Sequence, residues 1–373
     1  MKFSIKQKVL MEHLNYVIRG ISSKNLIPIL NCIKFELTNE GLYLLSTDNE
    51  LAIKSFIPAS DIENIEIQGE LLISGRYIYD IVRKLNNEVI NIEEIIDSQV
   101  LITTESSSFK LNCNEVNEFP SIDLEFTGTP VLMDQRVFKT TINQTIFATS
   151  TQESRPILTG VNFKIKENIM EVTATDSYRL SKKRIVLDNK VEDNVDIIIP
   201  SKNLNEIIRL MNDEEEKIEL HIFSNKVIFK ICNLIVMTRL INGNYPDTNK
   251  LIPEDFDLKI KINLDNFYNA IDRASLLTNE SDKNTIKFET KNNSVVISSN
   301  IQEIGYVEEH LTIDKNNDEE LKIAFSSKYM MDALKSLDCE FINLMFNGDV
   351  KPIIIKNPDS DDLTQLILPI RTY

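Results

Sequence analysis

Residues 74–86 read SGRYIYDIVRKLN, residues 200–212 read PSKNLNEIIRLMN and residues 326–338 read SSKYMMDALKSLD. The step is constant, since 202 − 76 = 126 and 328 − 202 = 126 put Arg76, Lys202 and Lys328 in register, with Arg83, Arg209 and Lys335 seven residues further on. A step of 126 residues is the size of one domain, so a chain of 373 residues divides into three. Each copy has helical spacing over 13 residues, about 20 Å of helix. Tyr77, Ile78, Ile81, Val82 and Leu85 form the face turned to a sheet; their counterparts are Leu204, Ile207, Ile208 and Met211, then Met330, Ala333, Leu334 and Leu337. Seven residues are almost two turns, a drift of only about 20°, so the two cations of each copy share a face offset from the apolar one.

Outward from these helices the repeat continues. VLMEHLNYVIRGIS from Val9 matches VFKTTINQTIFATS from Val137, and DNFYNAIDRASLLTN from Asp265 holds the same place in the third copy. Leu10, Leu14 and Ile18 make one stripe, and Phe138, Ile142 and Ile146 another. SKNLIPILNCIKFEL aligns with ESRPILTGVNFKI, where the Pro-Ile-Leu starts and the alternation predict strands joined by polar turns. Thr47-Asp48 and Thr175-Asp176 stand 128 apart, whereas NTIKFET and NSVVISSN of the third copy lack the pair. Each domain therefore reads as helix, strands, helix, strands. The fold class is α+β, with boundaries near 127 and 253, giving domains 1–127, 128–253 and 254–373. Sheets pack together or continue from one domain to the next, with helices on one face.

Composition narrows the function. Net charge is −16, which argues against a protein that coats nucleic acid with its whole surface. A local basic surface remains open, because screening confines Coulomb effects to about 8 to 10 Å. No apolar run reaches membrane-spanning length, and the start MKFSIKQKVLMEHL has no signal core, which predicts a cytoplasmic protein without a membrane partner. Cys32, Cys113, Cys232 and Cys339 are isolated and read as reduced structural thiols.

Three copies of one cationic pair in so acidic a chain point to phosphate. Helices crossing the phosphate ridges meet the backbone without reading bases, so binding is sequence-independent, salt-sensitive and tolerant of sliding. Three similar domains make an arc, and self-association through its two free ends closes a head-to-tail ring around a duplex. A hydrolase is the rival reading, through Asp48 and Asp176. Those carboxylates are a domain repeat apart, and turn hydrogen bonding suits them better than two-metal chemistry. His13, His221 and His310 show no metal spacing, and no glycine-rich phosphate loop or GxSxG occurs. No catalytic residue, metal or cofactor is expected. A third reading is a scaffold that uses the ring only for protein assembly.

The opening MKFSI, the K-x-L-I-P-I-L segment from Lys24, ATDSYRL from Ala174, INGNYPD from Ile241 and the terminal LILPIRTY resemble the bacterial replicative sliding clamp, the beta subunit of DNA polymerase III, over the whole chain. The resemblance implies a DNA clamp fold: three tandem domains, each with two helices lining the inside and antiparallel sheets outside, in a ring-shaped homodimer. It implies a noncatalytic processivity factor at the replication fork. Partners would be duplex DNA, the replicative polymerase alpha subunit, the delta subunit of the clamp-loading ATPase, and other polymerases and repair proteins carrying short hydrophobic motifs. By the same resemblance Lys24, Arg76, Gln152 and Lys202 contact DNA or adjoin it, and Phe109 and Leu111 face Leu276 and Leu277 of a second protomer. It also implies a peptide cleft formed by Leu158, Thr175, Ser177, Tyr178, Arg179, Leu180, Pro246, Leu251, Leu366, Ile367, Leu368, Pro369, Ile370 and Arg371. Ser177-Tyr178 replaces the family's frequent Gly-His pair, and Lys250-Leu251 its more usual Arg-Val.

Overall fold

The computed structural model describes residues 1–22, 27–86, 88–95, 98–211 and 216–371. Among them are six α-helices: α1 (Gln7–Val17), α2 (Gly75–Lys84), α3 (Gln135–Thr145), α4 (Ser201–Ile208), α5 (Leu264–Ser275) and α6 (Ser327–Lys335). Each lies where the periodicity predicts, and their inward residues are buried, including Leu10 and Leu14 of α1, Phe138 and Ile142 of α3, and Phe267 and Ile271 of α5. Burying a side chain of this size contributes on the order of 2 kcal/mol.

Four expectations change in detail. The basic helices are shorter than 13 residues: α2, α4 and α6 have 10, 8 and 9, about 15, 12 and 14 Å of helix. Extended backbone at Leu85 stops α2, and α4 passes at Ile208 into a turn in which Leu210 N–H donates to Ile207 O, so Arg209 sits just beyond the helix. Tyr77 is 62 % exposed; one residue round the helix from buried Ile78 is about 100°, which carries it off the sheet face. Ile18 falls in a 3-10 turn, Ile18–Gly20, and Val17 takes its place in the stripe. The Pro-Ile-Leu segments are also 3-10 turns, Pro28–Asn31 and Pro156–Thr159, because proline fixes φ and brings no N–H to a ladder. The strands Cys32–Leu37 and Gly160–Thr175 begin directly after them.

The chain packs as two compact units, Met1–Arg136 with Lys202–Leu240, and Val137–Ser201 with Ile241–Tyr373. The halves of the middle repeat belong to different units because the sheets run from one repeat into the next. In the first unit Leu51–Pro58 pairs antiparallel with Leu234–Arg239, joining an eight-stranded sheet. In the second unit Arg179–Pro200 pairs with Ser360–Ile367 in a seven-stranded sheet. A five-stranded sheet in the first unit ends on the edge strand Ser108–Asn112, and a four-stranded sheet in the second ends on Gly305–Thr312.

Candidate nucleic-acid and partner surfaces

The cationic side chains project into solvent, as the offset of their face requires. In the first unit Arg76 is exposed; Arg83 is 2.8 Å from Asp80, Arg209 is 3.0 Å from Glu206, and Lys202 is 3.4 Å from Asp48. These are surface ion pairs worth about 0 to 1 kcal/mol, which a phosphate can displace. In the second unit Lys328 and Lys335 are exposed. The Tyr268 side chain, its ring centre 5.6 Å from Nζ, holds the Lys335 ammonium above the usual lysine range. Gln152 lies on an exposed turn after α3. Lys24 lies outside the described residues.

Thr47-Asp48 and Thr175-Asp176 build the same turn. Asp48 Oδ1 accepts from the N–H groups of Glu50 and Leu51, and Asp176 Oδ1 from those of Tyr178 and Arg179. The hydroxyls of Thr47 and Thr175 donate to the carbonyls of Leu51 and Arg179. Asn49 and Ser177 supply the left-handed residue, with φ of 75° and 78°. Both carboxylates are taken up by turn geometry, the arrangement favoured over a metal pair. Among the described residues no group of His, Cys, Asp and Glu is placed to hold a metal ion.

Around the second turn the fourteen expected cleft residues divide by burial. Leu158, Thr175, Leu180, Leu366 and Ile367 are buried and form the support. Exposed apolar surface comes from Tyr178 (59 %), Leu251 (49 %) and Leu368 (37 %). Leu368 N–H donates to Tyr178 O at 2.8 Å, placing those two side by side. Leu251 closes the 3-10 turn Asn249–Leu251. Ser177, Pro246 and Arg371 are exposed, and Pro369 and Ile370 half-buried. Ile370 N–H donates to Ala324 O, anchoring the tail on the strand Lys322–Ser326.

Arg179 is held from both sides: Nε donates to Asp176 Oδ2 at 3.0 Å and Nη1 to Asp332 Oδ2 at 2.6 Å. Its guanidinium lies 4.5 Å from the Tyr329 ring centre and 5.4 Å from that of Phe147. Burial, then the Asp176 charge, push the Tyr329 phenol up. Behind the turn Tyr245 is buried, its hydroxyl oxygen accepting from Thr175 N–H at 2.9 Å, and burial drives its phenol far above the usual range. Sequence reading missed Phe147, Tyr245, Tyr329 and Asp332. The alignment of Phe119-Pro120 with Tyr245-Pro246 would have marked Tyr245, as the two stand 245 − 119 = 126 apart. No local pattern marks Asp332.

Phe109 and Leu111 are half-buried on the edge strand Ser108–Asn112, alternating with exposed Ser108, Lys110 and Asn112. Leu276, 79 % exposed, and half-buried Leu277 follow α5. Sequence reading also missed the edge strand Gly305–Thr312, although the alternation of YVEEHLT signals it. Arg273 of α5 grips it through a two-bond contact to Glu309 at 2.8 and 2.6 Å. The longest of the described helices, α5, has 12 residues, and none is long and apolar enough to cross a membrane.

Comparison with known proteins covers all three repeats. Residues 1–123, 132–247 and 249–371 match the family models described as the N-terminal, central and C-terminal domains of the DNA polymerase III beta subunit. Proteins named beta sliding clamp from Staphylococcus aureus and Staphylococcus epidermidis are each 40% identical over 377 residues, covering 100% of both chains. A crystal structure of the DNA polymerase sliding clamp from Bacillus subtilis superposes with a TM-score of 0.96 at 38% identity, covering 100% of each chain. One described as the DNA polymerase III beta chain from Streptococcus pneumoniae gives 0.95 at 36%, with the same coverage.

Proposed function

The chain belongs to the DNA polymerase III beta subunit family, and from that premise we propose that it is a DNA sliding clamp, a processivity factor without catalysis of its own. The observation that carries this reading is the threefold recurrence of an exposed cationic pair at equivalent positions of three helices and the turn that follows one of them, in a chain whose net charge is −16.

Its domains are 1–127, 128–253 and 254–373. Two protomers close head to tail, the edge strand Ser108–Asn112 of one extending the sheet that ends on Gly305–Thr312 of the other. Phe109 and Leu111 desolvate at that seam, with Leu276 and Leu277 beside it. Arg76, Arg83, Lys202, Arg209, Lys328 and Lys335 then meet phosphates of an enclosed duplex, with Lys24 and Gln152 close by. The contacts carry no base recognition, so all positions along the duplex are nearly equal in energy and the clamp slides. Retention is topological, which is why an acidic protein with weak individual contacts can stay on DNA. The Tyr178, Leu251 and Leu368 surface takes short apolar motifs of the replicative polymerase alpha subunit, the loader delta subunit and other polymerases and repair proteins. The clamp works in the cytoplasm at the bacterial replication fork.

The test loads the full-length protein onto a nicked circle and onto the same DNA made linear. Clamp should remain on the circle and run off the free ends; equal escape from both defeats the proposal. Replacing Arg76, Lys202 and Lys328 with Ala should lower the dependence of log affinity on log salt by about 0.9 for each phosphate no longer neutralised.

A further inference from the structure

Asp332 lies between Lys328 and Lys335 on α6, and its carboxylate is spent on Arg179, 153 residues away in sequence. The side chains of Arg179 and Asp176 are 10 % and 11 % exposed and that of Asp332 32 %, so this three-charge group is shielded from water far more than an ordinary surface pair. One carboxylate on Nε would leave the guanidinium plane free to swing. A second on Nη1, with the Tyr329 ring beside it, fixes the plane. Arg179 ends the turn whose hydrogen bonds place Tyr178, and Tyr178 O receives Leu368 N–H. A continuous chain of contacts therefore runs from α6 to two of the three exposed apolar side chains of the cleft.

The other copy of the turn shows that the fold does not need this clamp. There the same backbone hydrogen bonds form with Leu51 in place of Arg179, and the cation beside Asp48 is Lys202, whose side chain is 72 % exposed. The clamp is added where the exposed apolar surface is.

The geometry points to Asp332 as a positioning residue for partner capture: on a turn that closes by its own hydrogen bonds, it fixes the Arg179 guanidinium against Tyr329, beside Tyr178 and Leu368, as a rigid wall for an apolar peptide motif. The inference rests on the cleft reading given above. The test measures binding of a short fluorescein-labelled peptide carrying two adjacent large apolar side chains to the full-length protein by anisotropy. Asp332→Asn should weaken binding about tenfold, and Asp332→Glu should recover part of that loss. In an Arg179→Met background Asp332→Asn should have no further effect, because nothing remains to be positioned. If Asp332→Asn binds like the parent while Leu368→Asp does not bind, Asp332 has no positioning role and the cleft reading stands. If the loss persists undiminished in the Arg179→Met background, or Asp332→Glu recovers nothing, a general structural effect replaces the proposal. If the parent protein binds no peptide and Leu368→Asp is indistinguishable from it, the cleft reading itself falls.

Discussion

The two junctions at which one repeat's sheet continues into the next share a backbone and differ in what they offer to solvent. At the first, Arg239 N–H donates to Glu50 O at 2.9 Å; at the second, Leu368 N–H donates to Tyr178 O at 2.8 Å. The pairs correspond in sequence, 178 − 50 = 128 and 368 − 239 = 129. One frame thus presents Glu50 and Arg239, the other Tyr178 and Leu368. The linkers differ too. Pro120 to Phe126 is a step of 126 − 120 = 6, and Pro246 to Phe256 a step of 256 − 246 = 10. The short linker lays Ile122, Leu124 and Phe126 against Ala52, Ile228 and Met237. The long one keeps Ile252 and Phe256 on the equivalent core, Leu180, Met345, Ile354 and Leu366, and turns its surplus outward as Asn249–Leu251. The exposed apolar surface of the second junction is a matter of four linker residues and two side chains on a repeated scaffold.

The sharpest way to break this comparison is to give the second junction the first one's side chains. Tyr178→Glu with Leu368→Arg should cut affinity for an apolar peptide about a hundredfold, since each replaced side chain contributes about 1.5 to 3 kcal/mol when buried. A loss under threefold in an anisotropy titration would show that these side chains are not what distinguishes the junctions. A smaller effect should follow from the linker alone. Leu251→Asp should weaken the same peptide about fivefold, with unchanged thermal melting, because Leu251 is 49 % exposed and supports no core.

The smallest effect concerns stability. Tyr245 and Phe119, each 8 % exposed, occupy equivalent positions, but only the tyrosine can accept the Thr175 N–H. Tyr245→Phe should cost about 1 kcal/mol in denaturant unfolding at neutral pH. The folded phenol titrates above the ordinary value of 10.0, so the folded state holds its proton where the unfolded chain has lost it. Its contribution is complete below pH 10 and falls as the pH rises above it. Tyr245→Phe should therefore show a shallower decline in stability above pH 10 than the parent, and parallel declines would remove Tyr245 from the account.

Much of this was legible in the residues because it is local. The Thr-Asp pairs announced two identical turns, since every hydrogen bond in them spans no more than four residues. The apolar sets of α4 and α6 are buried as the period required. Expectation and structure diverge where neighbours in space decide. Helix ends diverge for a local reason instead: extended Leu85 stops α2 and the Leu210-to-Ile207 turn ends α4, so 13-residue patterns became helices of 8 to 10 residues. Leu158, Thr175, Leu180, Leu366 and Ile367, expected to line a peptide cleft, are buried, because consecutive strand residues such as Leu366 and Ile367 are covered on both faces of the sheet.

The amino-acid order by itself determined the three repeats, the helices that carry paired cations, the residues that fill the core and the family to which the chain belongs, because periodicity and spacing are properties of the chain alone. Only the tertiary structure decided that Arg179 is clamped by Asp332 and that Tyr178 and Leu368 stand side by side, since this depends on Asp332 meeting Arg179 and on Ile367 pairing with Arg179 in the sheet. Such meetings are set by strand register between repeats, and no short window of sequence contains both partners.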